Sequence, residues 1–336
     1  MIVTVLSQYE ARRASKGIRP PLACYSSVSF ERLHWVPLGS GGGFSGSLIW
    51  RGDFDGLPLF ALKRWPESLS VERLARIHQW MKQAAHLPFV PEVMPTKKGM
   101  SVAGNSGRIW DLTRWMPGSA DFHAKPSAPR LANACTALAQ IHRVWKPESP
   151  RFEVCPGVTR RLRILAEWKQ LARMQPVPTD SVNEVLSRGF EAVTRLAEPA
   201  EKALRPWLMR PMPVQPCLCD IWHDHVLFTD DSVTGIIDYG AMKEDHPAVD
   251  LARLLGDLIG EDNELFELGL AAYRAELGVS EISAEFVRLL DRTGIVGAMI
   301  VWLLRFQGEF PTFSHSAAVL RRIARLADRL EAIRGF

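Results

Sequence analysis

Cys219-Asp220-Ile221-Trp222-His223-Asp224-His225-Val226-Leu227 is followed, thirteen residues after His225, by Asp238-Tyr239-Gly240. An apolar run leads into the first stretch from Cys217, and the strand-like segments 226–229 and 233–237 flank the turn residues Asp230-Asp231-Ser232. This pattern predicts a loop followed by a β-hairpin, with Asp220 in the loop and Asp238 at the far end of the hairpin. Phosphoryl transfer needs one aspartate to accept or orient the proton of the acceptor hydroxyl, and a second on the magnesium that bridges the phosphates. Asp220 and Asp238 have the order and spacing for those two roles. Two other readings use the same residues. Asp220 can be a turn residue and Asp238 a strand-end cap, or His223, Asp224 and His225 can join Asp220 in a transition-metal site.

Working back towards the N-terminus, segments 33–38, 47–51 and 57–64 read as strands. The first two are joined by Gly39-Ser40-Gly41-Gly42-Gly43, whose backbone N–H groups can approach phosphate oxygens without side chains in the way. No Gly-Lys-Ser/Thr follows these glycines, so the loop is not of the Walker type. Lys63, at the end of the third strand, is placed to reach phosphates under that loop if a carboxylate holds it, and Glu72, one turn into the next helix, is the candidate partner. That helix is marked by Val71, Leu74, Ile77 and Met81, with Ser70 as N-cap. Two more strand-like runs, 90–96 and 108–115, complete a five-stranded antiparallel sheet with one helix.

After Met116-Pro117-Gly118 the pattern becomes helical, apart from the loop and hairpin. Helical spacing covers 131–145, 158–171, 183–204 and 249 onwards, with breaks near Gly278 and Pro311. The Pro-rich stretches 146–156, 174–179 and 205–216 read as linkers. The expected organisation is α+β: an N-terminal extension (1–30), a small nucleotide-binding lobe (31–117) and a larger helical lobe (118–336) carrying the catalytic loop, the hairpin and the acceptor site.

Composition excludes several other classes. The 336 residues are 47% apolar, and 41 basic against 37 acidic residues give a net charge of only +4. No run of like charges forms a nucleic-acid arm. The five cysteines fit neither a disulfide framework nor paired zinc ligands. Cys217 and Cys219 read as small core residues, with a thiolate role as the alternative. The N-terminus does not read as a signal peptide and no segment offers about 20 uninterrupted apolar residues. The expectation is a cytoplasmic protein with no membrane or nucleic-acid partner.

In combination, the glycine loop, strand lysine, catalytic-loop aspartate and hairpin aspartate resemble the aminoglycoside phosphotransferase and choline kinase family, a branch of the protein-kinase-like fold. Asp220, four residues, His225, then Ile236-Ile237-Asp238-Tyr239-Gly240 resemble its catalytic stretch, and Asp245-His246-Pro247-Ala248-Val249-Asp250-Leu251-Ala252 resembles the helix start that follows it. The resemblance spans about residues 33–330. It implies a two-lobed kinase-like fold and a small-molecule kinase that uses ATP or GTP with Mg²⁺ and phosphorylates an alcohol or amine of a small-molecule acceptor. Carried over, Lys63 binds phosphates, Glu72 pairs with it, Asp220 is catalytic and Asp238 is the main metal ligand. Thr113 and Trp115 lie in the hinge that meets the base, while His142 and Asp250 are structural braces. His225 stands where the family has a metal-binding asparagine, which makes it the expected second metal ligand beside Asp238, and Trp222 stands where the family usually has a histidine. These two departures keep a second reading open, a catalytically degenerate nucleotide-binding pseudokinase acting as a binding module. The acidic residues Asp257, Glu261, Asp262 and Glu264 could face a cationic acceptor or form a solvated helix face.

Overall fold

Alternating apolar residues build the first sheet. In β3 (Leu57–Arg64), Phe60 and Leu62 are buried, and in β5 (Arg108–Arg114), Trp110 and Leu112 pack beside them. The structure is a computed structural model that describes residues 21–25, 32–39, 46–171, 181–278, 282–307 and 317–336. With β1 (His34–Gly39), β2 (Leu48–Phe54) and β4 (Ala103–Asn105), these strands form a five-stranded antiparallel sheet in the order β1-β2-β3-β5-β4. Leu22 and Tyr25, expected in an extension, lie in its core, and Tyr25 forms a β-bridge with Thr96.

The fourth strand is not where alternation placed it. Segment 90–96 contains Pro91 and Pro95, which lack N–H donors, and it makes only isolated bridges, Val93 to Thr113 and Thr96 to Tyr25. The strand is instead Ala103–Asn105, paired with β5 through a turn in which Ser106 and Gly107 both have positive φ, 51° and 73°. That is the conformation favoured in two-residue hairpins.

Helix α1 (Val71–Gln83) begins at Ser70, whose hydroxyl accepts from Arg73 N at 3.2 Å. It buries Leu74, Ile77, His78 and Met81. Each fully buried apolar side chain of this kind contributes roughly 1.5–3 kcal/mol.

Contacts divide the chain into two compact units, residues 1–119 with 227–240, and residues 120–226 with 241–336. The hairpin β8 (Val226–Thr229) and β9 (Ser232–Ile236), expected in the helical part, therefore belongs from Leu227 onward to the first unit. Phe228 and Ser119 exchange backbone hydrogen bonds at 2.9 Å, and Ile236 N donates to Phe89 O at 2.8 Å. Gly118 is needed there, since a Cβ on it would lie 2.3 Å from Thr234 Oγ1.

The second unit holds α2 (Ala128–Trp145), α3 (Pro156–Leu171), α4 (Ser181–Leu204), α5 (Ala248–Ile259), α6 (Asn263–Leu277), α7 (Ala284–Gln307) and α8 (Ala317–Ala332). Gly260, with φ 62°, ends α5 at a break the periodicity alone did not reveal. Two expected linkers contain strands: β6 (Arg151–Glu153) and β7 (Met212–Cys217) join β10 (Lys243–Asp245) in a small sheet. β7 tolerates Pro213 and Pro216 because β6 pairs with residues 212–214 and β10 with residues 215–217, so each half keeps an open edge. Among the described residues, no helix is long and apolar enough to cross a membrane.

Candidate active site

In the first unit the site is built around Lys63. β2 and β5 flank the lysine, which pairs with Ile49 and Asp111 in register. Its Nζ lies 2.9 Å from Asp238 Oδ1, a residue 175 positions away. The ammonium also sits 4.0 Å from the Trp65 ring centroid, a cation–π contact that steadies the side chain. Asp238 has φ 59°, a left-handed backbone uncommon for a non-glycine residue, and its side chain is 43% exposed. Such a conformation persists where surrounding structure enforces it, here the hairpin clamped to Ser119 and Phe89. The hard, accessible carboxylate oxygens of Asp238 suit a magnesium ion.

Glu72 does not hold Lys63. It is exposed, and its carboxyl accepts from its own backbone N–H and from Ser70, which together keep it below the ordinary carboxylate range. A carboxylate in the first helical turn caps the helix rather than reaching the strand. Beneath the sheet, His78 Nε2 instead meets Asp111 Oδ2 at 2.9 Å, and both residues are buried. Nothing in the helical spacing distinguished His78 from an apolar core position.

Of the glycine loop, Gly39 has φ 65° at a bulge in the β1–β2 pairing, a conformation that favours glycine. Ser40, Gly41, Gly42 and Gly43 lie outside the described residues. In the segment expected to be the hinge, Thr113 pairs with Ala61, and Trp115 donates its amide to Leu59 O at 2.9 Å. The Trp115 amide is therefore committed to the sheet and does not meet a base.

In the second unit, Asp220 follows Cys219, whose φ is 63°. This bend is held by Asp250, fully buried, whose two carboxylate oxygens accept from Leu218 N and Cys219 N at 2.6 Å each. His142 Nε2 lies 3.0 Å from the same carboxylate and His142 Nδ1 2.6 Å from Tyr273 Oη, so His142 and Asp250 are braces, as the resemblance implied. The Asp220 carboxylate is 46% exposed and has Arg253 Nη2 3.4 Å from Oδ1.

Both ring nitrogens of His225 are engaged: Nδ1–H donates to Asp220 O at 2.7 Å, and Nε2 accepts from Trp222 Nε1–H at 2.9 Å. The lone pair a metal would need is thus taken, and His225 serves as a clasp on the loop. Trp222 and His225, the two departures from the expected pattern, thus bond to each other. A transition-metal cluster of His223, Asp224, His225 and Asp220 is not assembled either. His223 turns to Asp257, with Nδ1 at 2.5 Å and its backbone N at 2.8 Å from Oδ2. Cys217 and Cys219 take no thiolate role, since burial pushes both thiols well above their ordinary pKa.

The model of the phosphotransferase enzyme family matches residues 35–283, about three quarters of the chain. The chain belongs to the phosphotransferase enzyme family. Solved structures of family proteins share its two-lobed kinase-like fold. A spectinomycin phosphotransferase in complex with ADP and spectinomycin is 14% identical, with 89% of this chain and 92% of that chain covered and a TM-score of 0.66. An amicoumacin kinase in complex with AMP-PNP and Ca²⁺ is 13% identical, with 99% and 96% covered and a TM-score of 0.63. A choline/ethanolamine kinase family protein from Mesorhizobium loti is 20% identical, with 96% and 94% covered and a TM-score of 0.57. No curated protein matches the sequence. Lys63 and Asp238 meet within one unit, and Asp220 stands on the loop braced by Asp250.

Proposed function

We propose that this phosphotransferase moves the γ-phosphate of ATP or GTP onto a hydroxyl or amine of a small molecule in the cytoplasm. The observation that carries this reading is the 2.9 Å contact between Lys63 Nζ and Asp238 Oδ1 within the matched family region. The crystallised relatives hold ADP, or AMP-PNP with Ca²⁺, which supports a nucleotide and a divalent ion here. Lys63 is a compact cation already positioned by an anionic oxygen, and phosphate oxygens are partners of the same kind. Asp238 supplies hard oxygen to Mg²⁺, which when bound neutralises charge on the phosphates. Asp220, on a loop fixed from behind by Asp250, accepts the acceptor's proton as the new O–P (or N–P) bond forms and the bond from the γ-phosphorus to its bridging oxygen breaks. His225 adds no ligand, so the reading assigns the metal to Asp238 without a His225 site.

Calorimetry with ATP and with GTP, with and without Mg²⁺, tests this in wild type, Lys63→Ala and Asp238→Ala. One nucleotide should bind in a magnesium-dependent way. Each variant should weaken it tenfold or more, as loss of a charged hydrogen bond worth about 1.5–3 kcal/mol requires. Binding of neither nucleotide would overturn the proposal.

A further inference from the structure

We infer that His123, His223 and Asp257 form a site for a transition-metal ion, zinc by the chemistry of its ligands, separate from the magnesium site assigned to Asp238. The inference goes beyond phosphoryl transfer and stands whether or not the chain transfers phosphate. All three residues belong to the second unit, and one ligand atom from each lies within 4.8 Å of the other two. Among the described residues, a second cluster of this kind joins His142, Cys217 and Asp250, but it is fully buried, and its imidazole and carboxylate already hold the catalytic loop.

Each ligand has a fixed support. His123 stands in a turn, 121–125, closed by Ala124 N and Lys125 N, which donate to Asp121 O at 3.0 Å each. Arg130, on α2, ties that turn down by donating to Lys125 O at 2.6 Å and to the Asp121 carboxylate. His223 is buried, with the Trp222 and His123 ring centroids 4.6 and 4.4 Å from its own. Asp257, on α5, is only 19% exposed at the side chain and does not stand on a solvated face. Its Oδ2 accepts from His223 N at 2.8 Å and from His223 Nδ1–H at 2.5 Å, and His123 Nε2 lies 3.9 Å from the same oxygen.

Two imidazole nitrogens with one carboxylate oxygen suit zinc, whereas magnesium takes oxygen ligands. Tetrahedral zinc, bound at about 2.0–2.1 Å, holds its ligand atoms roughly 3.3 Å apart. The separations of 2.5 and 3.9 Å at Asp257 Oδ2 bracket that spacing. His123, 44% exposed, gives the ion a path in and leaves its fourth position to water. Asp224 Oδ1 lies 3.3 Å from His223 Nε2, where an outer carboxylate orients a metal-bound imidazole. With the ion on Nδ1, the ring keeps one proton, on Nε2 and facing Asp224. His225 offers no such exchange, because its Nε2 faces the Trp222 indole N–H, a donor only. Asp220, Asp224 and Asp257 outnumber the guanidinium groups beside them, Arg253 and Arg322, so the carboxylates favour a cation. A metal here would tie the 121–125 turn, the catalytic loop three residues past Asp220, and α5 to one another.

The test is a zinc titration of the chelator-treated, tag-free full chain by calorimetry, with magnesium in excess throughout. A single zinc ion should bind with micromolar affinity or tighter. Outer partners of a metal site typically contribute about 10–100-fold to affinity, so Asp224→Asn should weaken zinc about tenfold, and loss of a ligand in His123→Ala or Asp257→Asn at least about a hundredfold. His123→Ala removes an exposed ring, Asp257→Asn keeps an acceptor for His223 N, and circular dichroism melts confirm that each variant is folded. Asp238→Ala should leave zinc affinity within about twofold. Zinc should also slow hydrogen exchange of the amides of residues 222–225 in the wild type and not in His123→Ala. Zinc bound only at millimolar concentration, zinc affinity retained in both His123→Ala and Asp257→Asn, zinc affinity lost in Asp238→Ala, or exchange at 222–225 unchanged by zinc would each overturn the inference.

Discussion

Replacing Asp250 should loosen the catalytic loop without touching Lys63 or Asp238. Its fully buried carboxylate receives Leu218 N and Cys219 N at 2.6 Å each and His142 Nε2 at 3.0 Å. Asp250→Ala leaves two buried amides and an imidazole without their acceptor. At about 1.5–3 kcal/mol for each hydrogen bond to a charged group, the two amides alone set a loss of roughly 3–6 kcal/mol. Asp250→Asn keeps the shape but turns one oxygen into a donor facing another donor, so roughly half of that loss is expected. Urea denaturation measures the change, and hydrogen exchange should show the amides of Leu218 and Cys219 losing protection. Magnesium–nucleotide affinity should stay within about twofold while turnover falls, because Asp220 and not the Lys63 site is displaced. Stability of Asp250→Ala within about 1 kcal/mol of wild type, with unchanged exchange at both amides, would refute the brace.

Three other perturbations follow. A double-mutant cycle of Trp222→Phe and His225→Asn should give a coupling energy of about 1 kcal/mol by urea denaturation, the worth of their hydrogen bond, whereas additive effects would deny that the two departures are linked. His78→Ala should cost about 3–5 kcal/mol because Asp111 is left buried and unpaired, and the double variant His78→Leu, Asp111→Leu should recover much of it in the same measurement. Burial, reinforced by His142 and opposed by Asp245, lowers the pKa of His246 from 6.5 to about 4. Between those values the unfolded chain binds the extra proton, so stability should rise with pH from about 4 to 6.5, by roughly 3 kcal/mol, and be lost as pH falls back through that window. His246→Asn should flatten that part of the stability–pH profile.

The elements legible in the sequence were those set by local patterning: β3, α1, the hairpin after His225 and the helices with clear apolar spacing. The fourth strand was misplaced because Val90, Val93 and Met94 look like a strand to an alternation test, whereas two prolines, which lack N–H donors, leave that segment with isolated bridges rather than a continuous ladder. The true strand is three residues long and hides inside a Gly-Asn-Ser-Gly turn signal. Strands β6 and β7 were missed because proline was read as linker, although short strands with open edges tolerate it. In the site, Lys63 and Asp238 could be named from residue type and order, but the assignment of Glu72 rested only on its distance along the chain. Its position in the first turn favours capping.

The most direct test of phosphoryl transfer is formation of ADP from ATP, or of GDP from GTP, with Mg²⁺ and a panel of small-molecule alcohols and amines as acceptors, in wild type and Asp220→Asn. The account predicts acceptor-dependent turnover that falls by about 10²–10⁴-fold in the variant, the usual contribution of a positioned acid–base group, with nucleotide affinity kept within about twofold. Turnover that persists in Asp220→Asn, or a wild-type chain that binds nucleotide and never cleaves it, would contradict it, the second result favouring a binding module built on the kinase-like fold.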